Sequence, residues 1–168
     1  MKIVFMGHNQ RGITCLEALV KGSKHEVIRA IAQTSENEGW YKSIYDKARE
    51  LGLPVELSDN PNNSNLINLL EQDAPDLIVM CGYSKIIGKK IINLPKKGCI
   101  NLHASKLPWY RGAAPLNWAL INGEREIGLS IYRVDEGIDT GPIYAQETFK
   151  VPKDFTIRDV LDKTLKIY

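Results

Sequence analysis

Short apolar runs alternate with stretches of helical periodicity through the first hundred residues of this chain. Ile3–Met6, Val27–Ala32 and Leu77–Cys81 have the length of strands, and the last is a continuous apolar run of the kind that parallel sheets bury on both faces. Residues 12–21 carry apolar side chains at helical spacing, and Gly22 follows as a stop. Because alternating strands and helices are joined by right-handed crossovers, the pattern predicts a doubly wound, mostly parallel, Rossmann-like α/β sheet.

The other elements of this half are shorter. Apolar positions from Tyr41 to Leu51 indicate a helix that ends at Gly52. The remaining predictions are a short strand at Pro54–Glu56, a helix around Leu66–Leu70, a short helix at Ile86–Ile92 and a strand at Cys99–His103.

The pattern changes in the last third of the chain. Leu116–Ile121 is predicted to be a helix. Gly128–Val134 and Ile143–Val151 are predicted to be two strands, antiparallel to each other, around a Gly-rich loop. Thr156 and Asp159 fit a capping box at the start of a final helix. We therefore expect an antiparallel strand pair near the C-terminus of the sheet.

Composition favours a soluble globular protein. The chain has 168 residues, a net charge of +2, 43% hydrophobic and 25% charged residues, so nothing in the total charge attracts nucleic acid or a membrane strongly. No apolar run reaches the length of about 18 residues that a transmembrane helix needs. The cysteines Cys15, Cys81 and Cys99 lack metal-site spacing, so we expect reduced core thiols, no metal and a cytoplasmic location. The chain ends inside a helical pattern, which predicts one domain over residues 1–168, truncated at its C-terminus.

Asn101 and His103 lie two residues apart at the end of a predicted strand, so their side chains point to the same side. Asp139, in a second Gly-rich loop, is available to orient the imidazole. An isolated histidine is most often a core residue, but the presence of Asn101 and Asp139 gives a catalytic interpretation of His103 about equal weight. An amide, an imidazole and a carboxylate are the parts of a transfer site.

The segment Gly7–Gly12 follows a strand and opens a helix, where backbone N–H groups can hold an anion. It lacks the glycine spacing of a dinucleotide site and the Lys-Ser/Thr pair of a triphosphate loop. A structural turn and a contact to a phosphate or polar substrate group, made by His8 and Asn9, both remain open.

Two aromatic groups also leave alternatives open. Trp40, Tyr41 and Tyr45 lie at helical spacing, which fits a core position or a ligand platform. Trp109 and Tyr110 fit either stacking on a base or closure over the sheet edge.

Two motifs carry a resemblance to a known family. Asn101-Leu-His-Ala-Ser-Lys-Leu-Pro-Trp-Tyr-Arg-Gly-Ala-Ala-Pro115 and Asp135-Glu-Gly-Ile-Asp-Thr-Gly-Pro-Ile143 resemble the formyltransferases that use 10-formyltetrahydrofolate. Residues 1–7 and 76–94 also fit. The family includes methionyl-tRNA, glycinamide ribonucleotide and nucleotide-sugar N-formyltransferases. Lys106 departs from the family's Ser-Leu-Leu-Pro turn, which should affect the surface of the turn rather than the chemistry.

The resemblance implies roles for individual residues. Asn101, His103 and Asp139 match the family's catalytic triad, and 10-formyltetrahydrofolate is the implied donor, with no metal. The donor pocket would use the loop after the Leu77–Cys81 strand and the loop that carries Asp139. The implied donor-binding residues are Tyr83, Ser84, Lys85, Ile86, Ile87, Val134, Glu136 and Gly137, and the implied acceptor-binding residues are His8, Asn9, Arg111 and Gly112.

The implied chemistry is attack of a neutral amine on the formyl carbon. Asn101 would donate a hydrogen bond to the developing oxyanion, which contributes ~3 kcal/mol in comparable sites. His103 would stabilise the same charge or relay a proton. Asp139 would orient the imidazole and accept the amine proton, directly or through water.

The acceptor is the least constrained part. The loop at residues 33–43 is short and locally acidic. A loop that faces phosphates should carry the opposite charge. This loop, Asp59-Asn60 and residues 114–118 resemble the nucleotide-sugar enzymes, so the favoured acceptor is the primary amine of a nucleotide-linked amino sugar. The alternatives are the catalytic domain of a methionyl-tRNA formyltransferase, with tRNA as partner, and a folate-binding, formyl hydrolase-like relative. The resemblance allows a homodimer and gives no reason for a membrane partner.

Overall fold

The computed structural model describes residues 1–22, 24–34 and 43–168. They divide into two compact units, Met1–Ile100 and Asn101–Tyr168. Tyr41, where the second predicted helix begins, and most of the acidic loop 33–43 lie outside the described residues. The expectation of a single domain over 1–168 stays a prediction.

Four parallel strands form the sheet of the first unit. They are β1 (Lys2–Gly7), β2 (Glu26–Ala32), β3 (Val55–Leu57) and β4 (Leu77–Cys81), in the order β3-β2-β1-β4. β1 pairs with β2 and β4, and β2 pairs with β3, all in parallel. The apolar run of β1 is buried throughout, as strands covered by helices on both faces require.

In the described part of this unit, four helices connect and follow these strands. They are α1 (Asn9–Gly22), α2 (Ile44–Glu50), α3 (Ser64–Asp73) and α4 (Lys89–Ile92). Helix α2 begins at Ile44 because Ser43 and Asp46 form a capping box there. Helix α4 begins three residues later than the predicted Ile86. The Asn62 side chain accepts from the Gly88 N–H at 2.6 Å and donates to the Ile86 carbonyl at 2.9 Å, which keeps this segment out of a helix.

The second unit contains an antiparallel hairpin and two helices. Its elements are β5 (Cys99–His103), α5 (Pro115–Ile121), β6 (Glu126–Arg133), β7 (Ile143–Lys150) and α6 (Ile157–Thr164), with strand order β5-β6-β7. Strand β5 begins two residues before the first residue of this unit. β6 and β7 are antiparallel, with a register shift between Ile131 and Tyr132. The predicted capping box of Thr156 and Asp159 is confirmed.

The core of this unit lies between its sheet and its helices. Val160 of α6 is fully buried, and Leu116 of α5 and Ile127 of β6 are nearly so. Ala104, Ala119, Leu129 and Val151 complete the buried set. The predicted fold class, a mostly parallel Rossmann-like sheet with an antiparallel pair near the C-terminus, is confirmed. Within the described residues, no helix combines the length and apolarity needed to cross a membrane.

Candidate active site

The second unit brings Asn101, His103 and Asp139 into one cluster. The Nδ1 atom of His103 lies 3.4 Å from Oδ2 of Asp139, with the two side chains only 10% and 12% exposed. Asn101 joins them through a tyrosine hydroxyl: its Nδ2 donates to Tyr132 at 3.0 Å, and Tyr132 donates to Oδ1 of Asp139 at 2.5 Å. The convergence expected from the spacing of these residues is therefore present.

The loop after β6 is built to present Asp139. Asp135 accepts hydrogen bonds from the Gly137 N–H at 3.0 Å and from the Thr140 hydroxyl at 2.6 Å, which closes the loop on itself. Asp139 adopts a left-handed conformation with φ of 51°, which Asp tolerates better than most residues. Gly141 packs so closely under the loop that a Cβ there would overlap the backbone carbonyl of Arg133. Local sequence thus fixes the direction of the carboxylate.

Backbone groups of the turn after β5 complete the cluster. The Gly112 N–H donates to Oδ2 of Asp139 at 2.8 Å. Nε2 of His103 lies 2.9 Å from the Tyr110 carbonyl. A carbonyl can only accept, so this nitrogen carries a hydrogen and donates it. The imidazole is consequently held at Nε2, and its Nδ1 faces Asp139.

Tyr132 is a member of the cluster that the motifs did not reveal. It is 3% exposed. Burial raises the pKa of its phenol, and the hydrogen bond to Asp139 raises that pKa further. The hydroxyl therefore stays protonated at neutral pH and can donate. The alternation of β6 was an available signal, because Tyr132 lies on the same face as Ser130.

Asn101 keeps polar capacity for a ligand. Its Oδ1 is buried, and no described residue hydrogen-bonds to it. Its Nδ2 carries two hydrogens, and one of them is used on Tyr132. Buried polar atoms are nearly always hydrogen-bonded in native proteins, so an unpaired amide oxygen beside His103 and Asp139 indicates a place for substrate atoms.

The other residues predicted from the second unit lie around the same loops. Arg111 is exposed, and Gly112 spends its N–H on Asp139. Val134 is half-buried, and Glu136 and Gly137 are exposed. Gly112 thus supports the carboxylate, a role that the sequence did not indicate.

The residues predicted from the loop after β4 belong to the first unit. Tyr83 is buried and donates to the Ser58 carbonyl at 3.3 Å. The Ser84 N–H donates to Oε1 of Gln33 at 3.2 Å, and Gln33 is itself buried. Lys85 is half-buried, Ile86 is 72% exposed and Ile87 is buried. Gln33 holds this loop in place, and sequence reasoning had not selected it for that role.

The turn after β1 uses its polar groups internally. The His8 N–H donates to the Cys81 carbonyl at 3.2 Å, and the Gly12 N–H donates to the His8 carbonyl at 3.3 Å. Oδ1 of Asn9 accepts from the Arg11 N–H at 3.0 Å. These bonds favour the structural interpretation of Gly7–Gly12 over an anion site.

The aromatic alternatives resolve only in part. Trp40 and Tyr41 lie outside the described residues. The ring of Tyr45 has the Arg49 guanidinium 5.9 Å from its centroid. Trp109 is largely exposed, whereas Tyr110 donates from its hydroxyl to Glu124 at 2.7 Å. Tyr110 therefore serves the turn rather than a ligand.

The predicted core position of the cysteines is confirmed: Cys15, Cys81 and Cys99 are all buried. Among the described residues, no group of three His, Cys, Asp or Glu side chains is arranged to hold a metal ion.

Comparisons with known proteins place this chain in a family. The formyl transferase family matches residues 1–167. The methionyl-tRNA formyltransferase of Alkaliphilus oremlandii is 36% identical over 99% of this chain and 55% of its own length. That of Kosmotoga olearia is 39% identical over 92% of this chain and 51% of its own length. The chain thus spans about half the length of these curated relatives.

Solved structures share the fold. The phosphoribosylglycinamide formyltransferase of Bacillus halodurans superposes with a TM-score of 0.84 at 22% identity, over 99% of this chain and 88% of its own. A formyltetrahydrofolate deformylase from Pseudomonas syringae gives a TM-score of 0.82 at 20% identity, over 99% and 56%. At these identities the likeness concerns the fold alone, whereas the sequence match decides the family. This chain belongs to the formyl transferase family.

Proposed function

We propose that this protein transfers a formyl group from 10-formyltetrahydrofolate to a primary amine, with Asn101, His103 and Asp139 as its catalytic residues. One observation carries the proposal: His103 and Asp139 lie 3.4 Å apart, and Asn101 reaches the same carboxylate through Tyr132. Membership of the formyl transferase family supports the choice of donor. The donor-binding residues expected from the resemblance remain predictions.

Each residue has a defined part in this reaction. The second N–H of Asn101 donates to the formyl oxygen as negative charge develops on it, an interaction worth ~3 kcal/mol in comparable sites. The amine loses one proton as its nitrogen bonds to the formyl carbon, and N10 of the folate gains one as its bond to that carbon breaks. Asp139 has lone pairs left beyond those used by Tyr132 and Gly112, so it can receive the amine proton directly or through water.

The histidine is better placed to stabilise charge than to relay a proton. Its Nε2 donates to the Tyr110 carbonyl, and its Nδ1 faces Asp139. Relaying a proton to substrate would require one of these contacts to open. We therefore assign His103 to electrostatic stabilisation and to the orientation of Asp139.

The acceptor proposed here is the amine of methionyl-tRNA. Both relatives above are methionyl-tRNA formyltransferases, and their names do not support the nucleotide-linked amino sugar that the sequence favoured. The acidic segment behind that preference lies mostly at residues 35–42, outside the described residues. The amino sugar is kept as the competing acceptor in the test.

The decisive experiment offers 10-formyltetrahydrofolate with one acceptor at a time and follows the release of tetrahydrofolate by absorbance. The acceptors are initiator methionyl-tRNA, a panel of UDP- and dTDP-linked amino sugars, and no amine. We expect release with methionyl-tRNA, weakening as salt rises because phosphate contacts release counterions. Release only with a sugar would restore the first acceptor, and release without any amine would indicate a hydrolase. Absence of release under all conditions contradicts the proposed function.

A further inference from the structure

We propose that Tyr132 is a positioning residue that sets which atom of the Asn101 amide faces the formyl oxygen and fixes the Asp139 carboxylate at the same time. This inference rests on the proposed formyl transfer. It extends that proposal to Tyr132, which lies outside both sequence motifs.

The direction of each hydrogen bond follows from the number of hydrogens available. A phenol hydroxyl has one hydrogen, and Oδ1 of Asp139, 2.5 Å away, can only accept it. The Tyr132 oxygen must therefore act as an acceptor toward Asn101, which lies 3.0 Å away. Only the NH₂ end of the amide can donate. The tyrosine consequently decides the rotation of the amide, which otherwise has two nearly equivalent orientations.

The same hydroxyl gives the two oxygens of the Asp139 carboxylate different partners. Oδ1 of Asp139 is held by Tyr132, and Oδ2 is held by the Gly112 N–H at 2.8 Å and faces His103. With both oxygens assigned, the carboxylate cannot turn about its terminal bond without breaking one of these contacts. The carboxylate that is proposed to receive the amine proton is thus held in one orientation.

Packing keeps the tyrosine itself in place. Its side chain is 3% exposed. Its backbone pairs with Ile143 of β7. Gly141 lies against its ring, since a Cβ there would come within 3.6 Å of Cδ2 of Tyr132. The hydroxyl is therefore carried on a rigid support.

Loss of the hydroxyl should change turnover more than substrate binding. Without it, the Asn101 amide can rotate and present its oxygen, an acceptor, to the developing oxyanion. That contact matters when charge develops rather than when substrate binds, so kcat should fall while KM changes little. Loss of a residue that only supported the fold would lower the amount of active protein without this contrast between kcat and KM.

The test compares Tyr132→Phe with Tyr144→Phe, a control on the neighbouring strand β7 whose side chain is 60% exposed. We expect kcat of Tyr132→Phe to fall about 10- to 100-fold, the cost of one buried polar contact, with KM within about twofold. In the Asn101→Ala background the same change should cost less than in the wild-type background, because only the part that acts through Asp139 remains. Tyr144→Phe should match the wild type.

A second readout needs no donor or acceptor. The side-chain ¹⁵N amide signal of Asn101 should shift in Tyr132→Phe and stay unchanged in Tyr144→Phe. It remains informative if the wild type releases no tetrahydrofolate, a result that contradicts the proposed function but not the bridge. An unmoved Asn101 signal, or kcat within about twofold of wild type, overturns the inference.

Should Tyr132→Phe fail to fold, the wild-type protein supplies the test. A slowly exchanging hydroxyl proton of Tyr132 with a through-space contact to the Asn101 amide is expected. Its absence overturns the inference.

Discussion

Oδ2 of Asp139 lies 3.4 Å from Nδ1 of His103, and the same oxygen accepts the backbone N–H of Gly112 at 2.8 Å. One carboxylate oxygen therefore holds both the imidazole and the turn that follows its strand. Because both side chains are mostly shielded from water, their interaction is stronger than that of an exposed pair. Replacing Asp139 by its amide keeps the size of the side chain, so it tests the charge of the carboxylate with little change to the packing.

Asp139→Asn is the substitution that tests this point. Asn tolerates the left-handed backbone, with φ of 51°, that Asp139 adopts, so the loop is retained, whereas Ala would add backbone strain. We expect kcat to fall by ~10²–10³-fold, because a preorganised electrostatic contact is lost. Steady-state kinetics of tetrahydrofolate release measures it.

The matched control for that variant is Asp162→Asn on the exposed face of α6, which should leave kcat unchanged. A kcat for Asp139→Asn close to that of the wild type would remove Asp139 from the chemistry.

Gly141→Ala should destabilise the protein. Its Cβ would overlap the carbonyl of Arg133, a backbone atom that cannot move aside without shifting β6. We expect a loss of about 3 kcal/mol in the free energy of unfolding, the upper range for overpacking, measured by urea denaturation. Gly22→Ala, where a Cβ meets nothing within 4 Å, should leave stability unchanged or slightly raised. Equal stabilities of the two variants would show that the loop accommodates the methyl group.

Arg111→Glu tests an acceptor contact. Arg111 is exposed in the turn that supplies Gly112, where a guanidinium can reach an acceptor phosphate. We expect KM for the acceptor to rise about tenfold with kcat retained, and the salt dependence of tRNA binding to fall by about one phosphate contact. Arg125→Glu, also exposed, is the charge-matched control. An unchanged KM would indicate that Arg111 only braces the turn.

Asp159 should contribute acid-sensitive stability. Hydrogen bonds from the hydroxyl and backbone N–H of Thr156 hold the pKa of Asp159 below its ordinary value of 3.8. A lowered folded-state pKa means that the stabilisation is complete above pH 3.8 and is lost as pH falls through the lower folded value. The melting temperature of the wild type should therefore exceed that of Asp159→Asn near neutral pH, and this difference should vanish in strong acid.

Thermal melts from about pH 7 to about pH 2 measure this convergence. Asp154→Asn, outside the capping box on an exposed position, should show no such difference. A constant gap between wild type and Asp159→Asn at all pH values would contradict the assignment.

The sequence predicted the fold because its signals are local. The apolar run Leu77–Cys81 and the capping box of Thr156 and Asp159 each lie within a few residues, and both are present in the structure. The start of α4 could not be predicted in this way. It depends on Asn62, which lies 26 residues before the Gly88 N–H that it binds.

The candidate site divides along the same line. Asn101, His103 and Asp139 were selected from residue type, spacing and resemblance, because a strand period of two and Gly-rich loops are visible in one dimension. The sequence did not reveal that Tyr132 lies between two of them or that the Tyr110 carbonyl holds the imidazole. Those contacts join residues that only folding brings within 3 Å of each other, where the direction of each hydrogen bond is decided by which atom can donate and which can accept.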